Sequence, residues 1–404
     1  MGDRCGKQRS GRSFLYMKQP QRPAPYRPAL FWFAVVTSVM TFLLIGLGGL
    51  VTSSEAGMSV PDWPTSYGYN MFALPIQYWQ GGVVYEHTHR LLASFLGVLV
   101  VVLTRWIGGA PSRVPLAVVG GLEMVAGAGI FLFFPHLKPV GHFFEGIGGV
   151  VLLAAAVWVR NAPGSPTLVW CGWGAFVLVQ LQGLLGGLRV SLVLDWLGVP
   201  HGALAQMFLV LTAVTALLAS RWWHQSTIFR QTTVPRGLRH HVLGVTVLIF
   251  VQLLVAATMR HQHAGLAITD FPLAYGKVWP DTSPAAIAKY NAMRDLGTVG
   301  GPITAFQVKL HMVHRLMAYA ILLGVVMAAV RARKKLGVED SLTRFAMVWL
   351  GILLMQVFLG AETIWQNKAA DVATCHVMVG ALALLAGTLW YLVATRRAQL
   401  SKTG

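Results

Sequence analysis

Long blocks of apolar residues alternate along the chain with short polar and basic segments. Most blocks hold about twenty residues, the length that carries an α-helix across the hydrocarbon core of a bilayer. Backbone polar groups in hydrocarbon must be bonded within the segment, and the blocks lack the alternation of a barrel strand, so helices are expected. The pattern predicts ten membrane-spanning helices, at about residues 30–51, 86–106, 114–134, 142–159, 168–188, 199–219, 241–258, 310–330, 345–361 and 374–394.

The distribution of basic residues predicts the orientation. Only 11% of the 404 residues are charged, yet the net charge is +18. Most Lys and Arg residues lie at the termini and in alternate inter-span segments, whereas loop 52–85 contains none. This distribution argues against a nucleic-acid-binding stripe and follows the positive-inside rule. We therefore expect a protein of the inner (plasma) membrane, embedded in lipid, with both termini cytoplasmic and the long loops 52–85 and 259–309 outside.

The N-terminal segment and the cysteines indicate neither secretion nor a disulfide framework. The residues before the first span are polar and basic and lack the apolar core of a signal peptide, so 1–29 is expected to be a retained cytoplasmic tail. The three cysteines are Cys5, Cys171 and Cys375, and they form no CxxC or zinc-binding spacing.

An internal repeat relates the two halves of the chain. Three segments recur: 56–68 with 264–276, 86–93 with 311–318, and 182–186 with 356–360. Between the second and third matches, the first half carries about fifty additional residues, the length of two spans with their loops. The extra residues therefore predict a helical hairpin inserted into the first half.

The repeat predicts an all-α polytopic membrane protein with two four-helix bundles in pseudo-twofold parallel repeat. A parallel relation follows because each unit has an even number of spans. The extra two-helix hairpin is expected at 111–162. The predicted divisions are a cytoplasmic basic tail 1–29, an N-terminal helical unit 30–220, a cytoplasmic linker 221–240, a C-terminal helical unit 241–395 and a cytoplasmic tail 396–404.

Four histidines recur at matched positions, His89 and His201 in the first unit and His314 and His376 in the second. All four fall within the first turns of helices that enter from the outer face, so each pair can meet at similar depth. Imidazoles from two facing helices give bis-histidine axial ligation of a haem iron. A lone histidine would more often be structural, but recurrence of both members favours ligation.

Glu86 distinguishes the two units. It lies one turn before His89 on the same helix face, and an ionisable carboxylate at a membrane helix end is a functional candidate. The alternative is an interfacial salt bridge with Arg90. The matched residue in the second unit is His311, so we expect chemistry in the first unit and electron handling in the second. Arg90 and Arg315 have two equal interpretations, pairing with haem propionates or anchoring their helices.

The remaining polar residues carry weaker expectations. Asp62 and Asp270 are expected to cap their loops, while His261 and His263 either shape a loop, which is favoured, or bind metal. Polar groups around the inserted hairpin are expected to pack and hydrogen-bond, with quinone or lipid contact as the alternative: His136, His142, Glu145 and Glu123. Two histidines at the start of a cytoplasmic helix, His240 and His241, are expected to be solvated.

Taken together, the motifs resemble the haem A synthase family, the cytochrome oxidase assembly proteins that convert haem O to haem A. The resemblance extends over most of the chain and rests on GGLVTSSEAGMSVPDWPTSYG, EHTHRLLAS, QGLLGG, RHQHAGLAITDFP, HMVHRLMAY and QVFLGAETIW. Each motif alone is weak, whereas the set is specific. The inserted hairpin falls outside the resemblance because the family usually has eight spans.

The resemblance implies roles for the matched residues. His89 and His201 would face the substrate, haem O, and His314 and His376 would ligate a haem b cofactor. Glu86 would be the catalytic carboxylate in two successive hydroxylations of the C8 methyl group, after which the geminal diol loses water to leave a formyl group. The hydroxyfarnesyl tail of haem O would allow entry sideways from the bilayer.

Partners and one departure also follow from the resemblance. The implied partners are a haem O synthase and a membrane or ferredoxin-type electron donor, and a homo-oligomer stays open. Many bacterial members carry two cysteines in the first outer loop, where this chain has Val60 and Ser66, so a loop disulfide is absent here.

Two other functions compete with the enzyme. A dihaem b-type electron carrier would need no carboxylate in one half only, so Glu86 argues against it. A transporter with parallel repeats would be expected to have broken helices and polar residues near the midplane, whereas the notable polar residues here cluster at the outer end.

Overall fold

The computed structural model describes residues 26–157, 159, 161, 163–224, 233–294 and 301–401. Over these residues all regular secondary structure is helical, apart from two isolated β-bridges in loops. Ten helices are long and apolar enough to cross a membrane, as predicted, and the chain is a multi-pass membrane protein. They are α1 (Pro28–Ser53), α2 (Gly82–Gly108), α3 (Arg113–Phe133), α4 (Lys138–Ala156), α5 (Pro166–Ser191), α6 (Gly198–Ala219), α7 (Arg236–His261), α8 (Ala305–Leu336), α9 (Ser341–Trp365) and α10 (Ala370–Leu400).

Helices α1, α2, α5 and α6 form the first bundle, in which each helix packs against two of the others. The pairs in contact are α1 with α2, α2 with α5, α5 with α6, and α6 with α1. The hydroxyl of Thr104 joins α2 to α5 by donating to the Gly172 carbonyl at 2.9 Å. Large apolar side chains such as Leu103 and Ile107 are fully buried beside this contact.

Helices α7 to α10 form the second bundle with the corresponding order of neighbours. Two buried tryptophans join α9 to α10: the indole of Trp349 donates to the Ala383 carbonyl and that of Trp390 to the Leu342 carbonyl, each at 2.8 Å. These bonds matter because helices in lipid gain little from apolar contact alone and rely on packing and hydrogen bonds.

The two bundles contact each other through α1, α6, α7 and α10. The closest polar tie is made by Arg260 at the end of α7, whose guanidinium donates to the Gly49 carbonyl and the Ser53 hydroxyl of α1 at 2.6 Å each. The bundles therefore meet along their length and are joined near the end where the long loops lie.

Helices α3 and α4 form a tight hairpin beside the first bundle. Glycines allow the close approach, because a methyl group built on Gly148 would lie 2.8 Å from the Gly120 carbonyl oxygen. The hairpin packs on the bundle mainly through α4, which contacts α2 and α5. Much of α3 is left uncovered, and its exposed side chains include Val114, Val118, Leu122 and Val125.

Several expectations can now be compared with the described residues. All ten helices are present, and most extend beyond the predicted bounds. The ten spanning helices are each continuous over the part of the chain that is described, unlike the broken helices of the transporter hypothesis. The expectation of a solvated His241 was wrong, since its imidazole lies 2.8 Å from the Gly324 carbonyl of α8. Parts of the predicted tails and linker, 1–25, 225–232 and 402–404, lie outside the described residues.

We expect Gly148→Leu to separate the hairpin, because the added side chain meets the backbone of α3. Overpacking of this kind costs about 1–3 kcal/mol, so the melting temperature in detergent should fall by several degrees. Gly149→Leu is the matched control, since a Cβ there meets nothing within 4 Å. Equal melting temperatures for the two variants would contradict this packing.

Candidate functional site

The first long loop, which joins α1 to α2, is held on α2 by Arg90. Its guanidinium donates to the carbonyls of Asp62 and Val60 at 2.6 and 2.9 Å, and to the Glu86 carboxylate at 2.7 Å. The second oxygen of Glu86 accepts the Val60 amide at 2.9 Å. The Arg90 and Glu86 side chains are only 10% and 6% exposed. Loop, arginine and carboxylate therefore form one buried cluster, in which the predicted alternative, a Glu86–Arg90 salt bridge, is present.

Asp62 caps the turn within this loop, as the sequence predicted. Its carboxylate accepts the backbone amides of Tyr67 and Gly68 at 2.6 and 2.8 Å. Burial opposes ionisation of Asp62, but the Thr65 side chain, the two amides and the Arg90 charge outweigh it, so the pKa of Asp62 is held below its ordinary value. The turn therefore keeps its charged cap at neutral pH.

The second long loop repeats this geometry at Asp270 and Arg315. The Asp270 carboxylate accepts the amides of Tyr275 and Gly276 at 2.7 and 2.9 Å, and Arg315 donates to the Asp270 carbonyl at 2.7 Å. The difference lies at His311, which occupies the position of Glu86. Its ring is buried, and its Nδ1 has no hydrogen-bond partner among the described residues.

The imidazole rings of His89 and His201 each lie against the backbone of a glycine on a neighbouring helix. A methyl group built on Gly48 of α1 would lie 3.1 Å from Cε1 of His89, and one on Gly186 of α5 would lie 3.3 Å from Cε1 of His201. The Nδ1 atoms of both rings are buried without a partner in the described structure. The two imidazoles are close enough to interact electrostatically. Each ring is thus fixed by close contact with a neighbouring helix.

His314 and His376 face each other in the second bundle. Their ring centroids are 6.4 Å apart, with an angle of 62° between the ring planes. Imidazole nitrogens bind metals at about 2.1 Å, so this separation suits one atom held between the rings. His376 packs on Gly360, where a methyl group would lie 3.2 Å from Cε1. The pair therefore fits the two axial ligands that a haem iron takes from protein.

Glutamines accompany the histidines, and sequence reasoning gave them no role. Gln252 donates to the His314 carbonyl at 2.9 Å, and its amide lies 3.0 Å from His314 Nδ1. Gln182 donates to the His201 carbonyl at 3.0 Å. The only available signal was that Gln182 opens one of the repeated segments.

One cavity of about 1070 Å³ is lined by all four histidines. This volume lies above the range of about 300–1,000 Å³ typical of small-molecule sites. Glu86, Arg90 and Arg315 also line it. The structure thus brings every predicted site residue to the same cavity, with one histidine pair in each bundle.

The cavity is also lined by two arginines, Arg189 and Arg260, that no sequence pattern indicated. Arg189, in the last turn of α5, donates to the Asp195 carboxylate at 3.1 Å, and Arg260 lines the cavity while tied to α1. Neither arginine recurs in the other half of the chain, so the repeat gave no signal for them. The guanidinium groups of Arg90 and Arg315 donate to loop carbonyls. Their pairing with haem propionates stays a prediction.

The other polar candidates are distributed around this cavity. His261 and His263 line it, and the portion of the chain that the structure describes contains no group of three or more His, Cys, Asp or Glu side chains that could hold a metal ion. His142 lies 3.3 Å from Glu145 on α4. Glu123 of α3 is within hydrogen-bonding reach of the Gln180 side chain on α5. The predicted alternative for these groups, contact with quinone or lipid, stays a prediction.

Comparison with known proteins agrees with this arrangement. A protein named Heme A synthase from Caulobacter sp. strain K31 is 27% identical over 381 residues, which are 92% of this chain and 97% of that protein. Proteins of the same name from Caulobacter vibrioides and Geobacillus kaustophilus are 25% and 23% identical, over 89% and 92% of this chain and 94% and 93% of their own lengths. The sequence pattern of the cytochrome oxidase assembly protein family matches residues 143–388, more than half of the chain. The chain therefore belongs to the cytochrome oxidase assembly protein family.

Proposed function

We propose that this chain acts as a haem A synthase, which oxidises the C8 methyl group of haem O to a formyl group and so supplies haem A for terminal oxidase assembly. The observation that carries this proposal is the shared cavity, with a histidine pair in each bundle and a carboxylate, Glu86, beside the first pair only. Full-length similarity to proteins named Heme A synthase supports it.

The proposed architecture is two four-helix units, 30–220 and 241–395, related by a pseudo-twofold axis, with the hairpin as an addition to the first. The order of neighbouring helices supports this relation, since α1, α2, α5 and α6 correspond to α7, α8, α9 and α10. The contact of α1 with α10 then has its counterpart in the contact of α7 with α6. The matching hydrogen bonds of Asp62 and Asp270 agree with it.

We propose an inner-membrane orientation with both termini cytoplasmic. The basic side chains that support it cluster at the end of the helices opposite the two long loops. Haem O would then bind near the outer face, supplied by a haem O synthase in the same bilayer. A membrane or ferredoxin-type protein is proposed as electron donor, and assembly into a homo-oligomer is compatible with this arrangement.

The second unit is proposed to hold haem b between His314 and His376. Two observations support a haem at this position: Nδ1 of His376 is buried without a hydrogen-bond partner in the described structure, and the ring lies against Gly360, which has no side chain to displace it. Bound haem b would supply one-electron redox chemistry. The protein's own contribution is orientation: Gln252 restrains the His314 ring, and Gly360 admits the His376 ring between α9 and α10.

The first unit is proposed to bind haem O between His89 and His201. The reaction is two successive hydroxylations of one methyl carbon with dioxygen as the oxidant: each time one oxygen atom enters a C–H bond, and the other leaves as water with two electrons from the donor and two protons. The geminal diol then loses water to leave the formyl group. Glu86 lines the same cavity, and we assign it the acceptance of protons from the reacting carbon or its hydroxyl group. Arg90 donates to the Glu86 carboxylate at 2.7 Å and fixes its direction.

Glu86→Gln should abolish conversion of haem O and leave haem b in place. The amide has one acceptor oxygen for the two donors, Val60 and Arg90, and it cannot take a proton. Loss of a general base lowers rates by about 10²–10⁴-fold, and haem b retained by the variant shows that it is folded. The measurement is mass spectrometry of haem extracted after co-expression with a haem O synthase. Glu145→Gln, on the hairpin, is the matched control. Unconverted haem O with the unchanged protein would refute the enzyme, and full conversion by the Glu86 variant would refute the role of Glu86.

Histidine substitutions should separate the two sites. His314→Ala and His376→Ala should lose the haem b that purifies with the protein, because each removes one axial ligand. His89→Ala and His201→Ala should retain that haem b and fail to convert haem O. The absorbance of the purified variants, calibrated as haem per protein, measures occupancy. Equal loss of haem b in all four variants would contradict the assignment.

A further inference from the structure

The cavity lining extends further along α2 of the first bundle than along α8, the matching helix of the second. Along α2 its lining runs from His89 to Val101, whereas along α8 it runs from His314 to Ile321. With a rise of 1.5 Å per residue, these lengths are about 18 Å and about 10 Å. The first site therefore includes an additional space beside α2, which runs from His89 towards Val101.

Two features of the sequence create this space. Gly97 on α2 lines it, and a Cβ at that position meets nothing within 4 Å. The spacing that pairs His89 with His314 pairs Gly97 with Leu322, so the second unit has a large side chain there. The other feature is α4, which belongs to the inserted hairpin and has no counterpart in the second unit.

Helix α4 forms one wall of this space. Phe143, Gly146 and Ile147 line it, and a Cβ built on Gly146 would have no atom within 4 Å. Phe143 seats the helix, because its ring lies 5.0 Å from that of Trp63 and would meet a methyl group on Gly183 at 2.8 Å. The hairpin thus shapes the first site directly.

The lining of the space, which we call the apolar branch, is mostly hydrocarbon. Its residues come from α2, α4 and α5: Leu91, Phe95, Gly97, Val98, Val101, Phe143, Gly146, Ile147, Val150, Val179 and Gln180. The branch belongs to the same cavity as His89 and follows α2 for about 18 Å. An extended apolar chain attached to a group held by the histidines matches this shape.

We propose that the apolar branch binds the isoprenoid tail of haem O, with α4 of the inserted hairpin as the wall that recognises it. This inference rests on the proposed function. Two axial histidines leave a porphyrin free to adopt several rotations about the axis that joins them. A tail seated between α2 and α4 fixes one rotation, so that the same methyl group meets Glu86. The tail gains little affinity by leaving lipid, so the branch acts mainly by orienting the substrate.

Filling the branch tests this inference. In Gly146→Leu and Gly97→Leu, the new side chains occupy space that the tail needs, on two different helices. We expect kcat/KM for haem O to fall about a hundredfold, as misplacement of a substrate by about 1 Å can do. Gly149→Leu, one turn along α4 and with an equally open Cβ position, should match the unchanged protein. Conversion of haem O by both filled variants at the unchanged rate would overturn the proposal.

Binding of haem b, which has no such tail, separates tail recognition from damage to the porphyrin site. Two samples of the protein, each with haem b already bound in the second unit, are titrated optically, one with haem O and the other with haem b. The filled variants should lose affinity for haem O and keep that for haem b. Equal losses for both haems would overturn the proposal. If Gly146→Leu fails to fold, Gly97→Leu carries the test.

Failure of the proposed function gives a different result. In that case the unchanged protein yields no haem A, whatever the branch contains. If the unchanged protein and the filled variants all yield haem A with the same kinetics, the enzyme assignment stands and the branch assignment falls.

Discussion

The buried ion pair of Arg90 and Glu86 is the contact on which the first site depends. One guanidinium donates to the carboxylate and to three loop carbonyls, while the carboxylate accepts a loop amide. Removing either partner of a buried pair leaves an uncompensated charge, which costs about 3–5 kcal/mol. The start of α2, the path of the first loop and the direction of the carboxylate are therefore coupled. A catalytic proposal for Glu86 must accept that this residue is also structural.

The second bundle retains the arginine that holds the loop but has no carboxylate beside it. Arg315 binds the loop carbonyls of Asp270 and Leu273, but His311 replaces the carboxylate. The loop is therefore held by hydrogen bonds to carbonyls, without a buried anion. A scaffold with two such sites can place a reacting haem in one and a resident haem in the other, because the backbone geometry is retained while the titratable group differs. The dihaem carrier hypothesis offers no reason for this difference.

The sequence predicted those features that local patterns or the repeat encode. Hydropathy located all ten helices, and recurrence identified the four histidines that line the cavity and the caps at Asp62 and Asp270. Contacts between distant segments were not accessible in this way. No local pattern links Gln252 on α7 to His314 on α8, or indicates which face of the hairpin packs on the first bundle. His241 was misjudged for the same reason, because its partner lies on α8.

Glycine has a particular role in this protein because lipid provides no hydrophobic force to press helices together. Backbones must approach closely to gain packing energy, and α3 and α4 do so at Gly120 and Gly148. At Gly360 the same property admits an imidazole ring. At Gly97 and Gly146 nothing fills the space that a missing side chain leaves. An open Cβ position alone does not indicate binding, since Gly149 shares it. Gly97 and Gly146 differ because both also line the cavity that holds the histidines, so the space beside them is part of a site rather than of the lipid-facing surface.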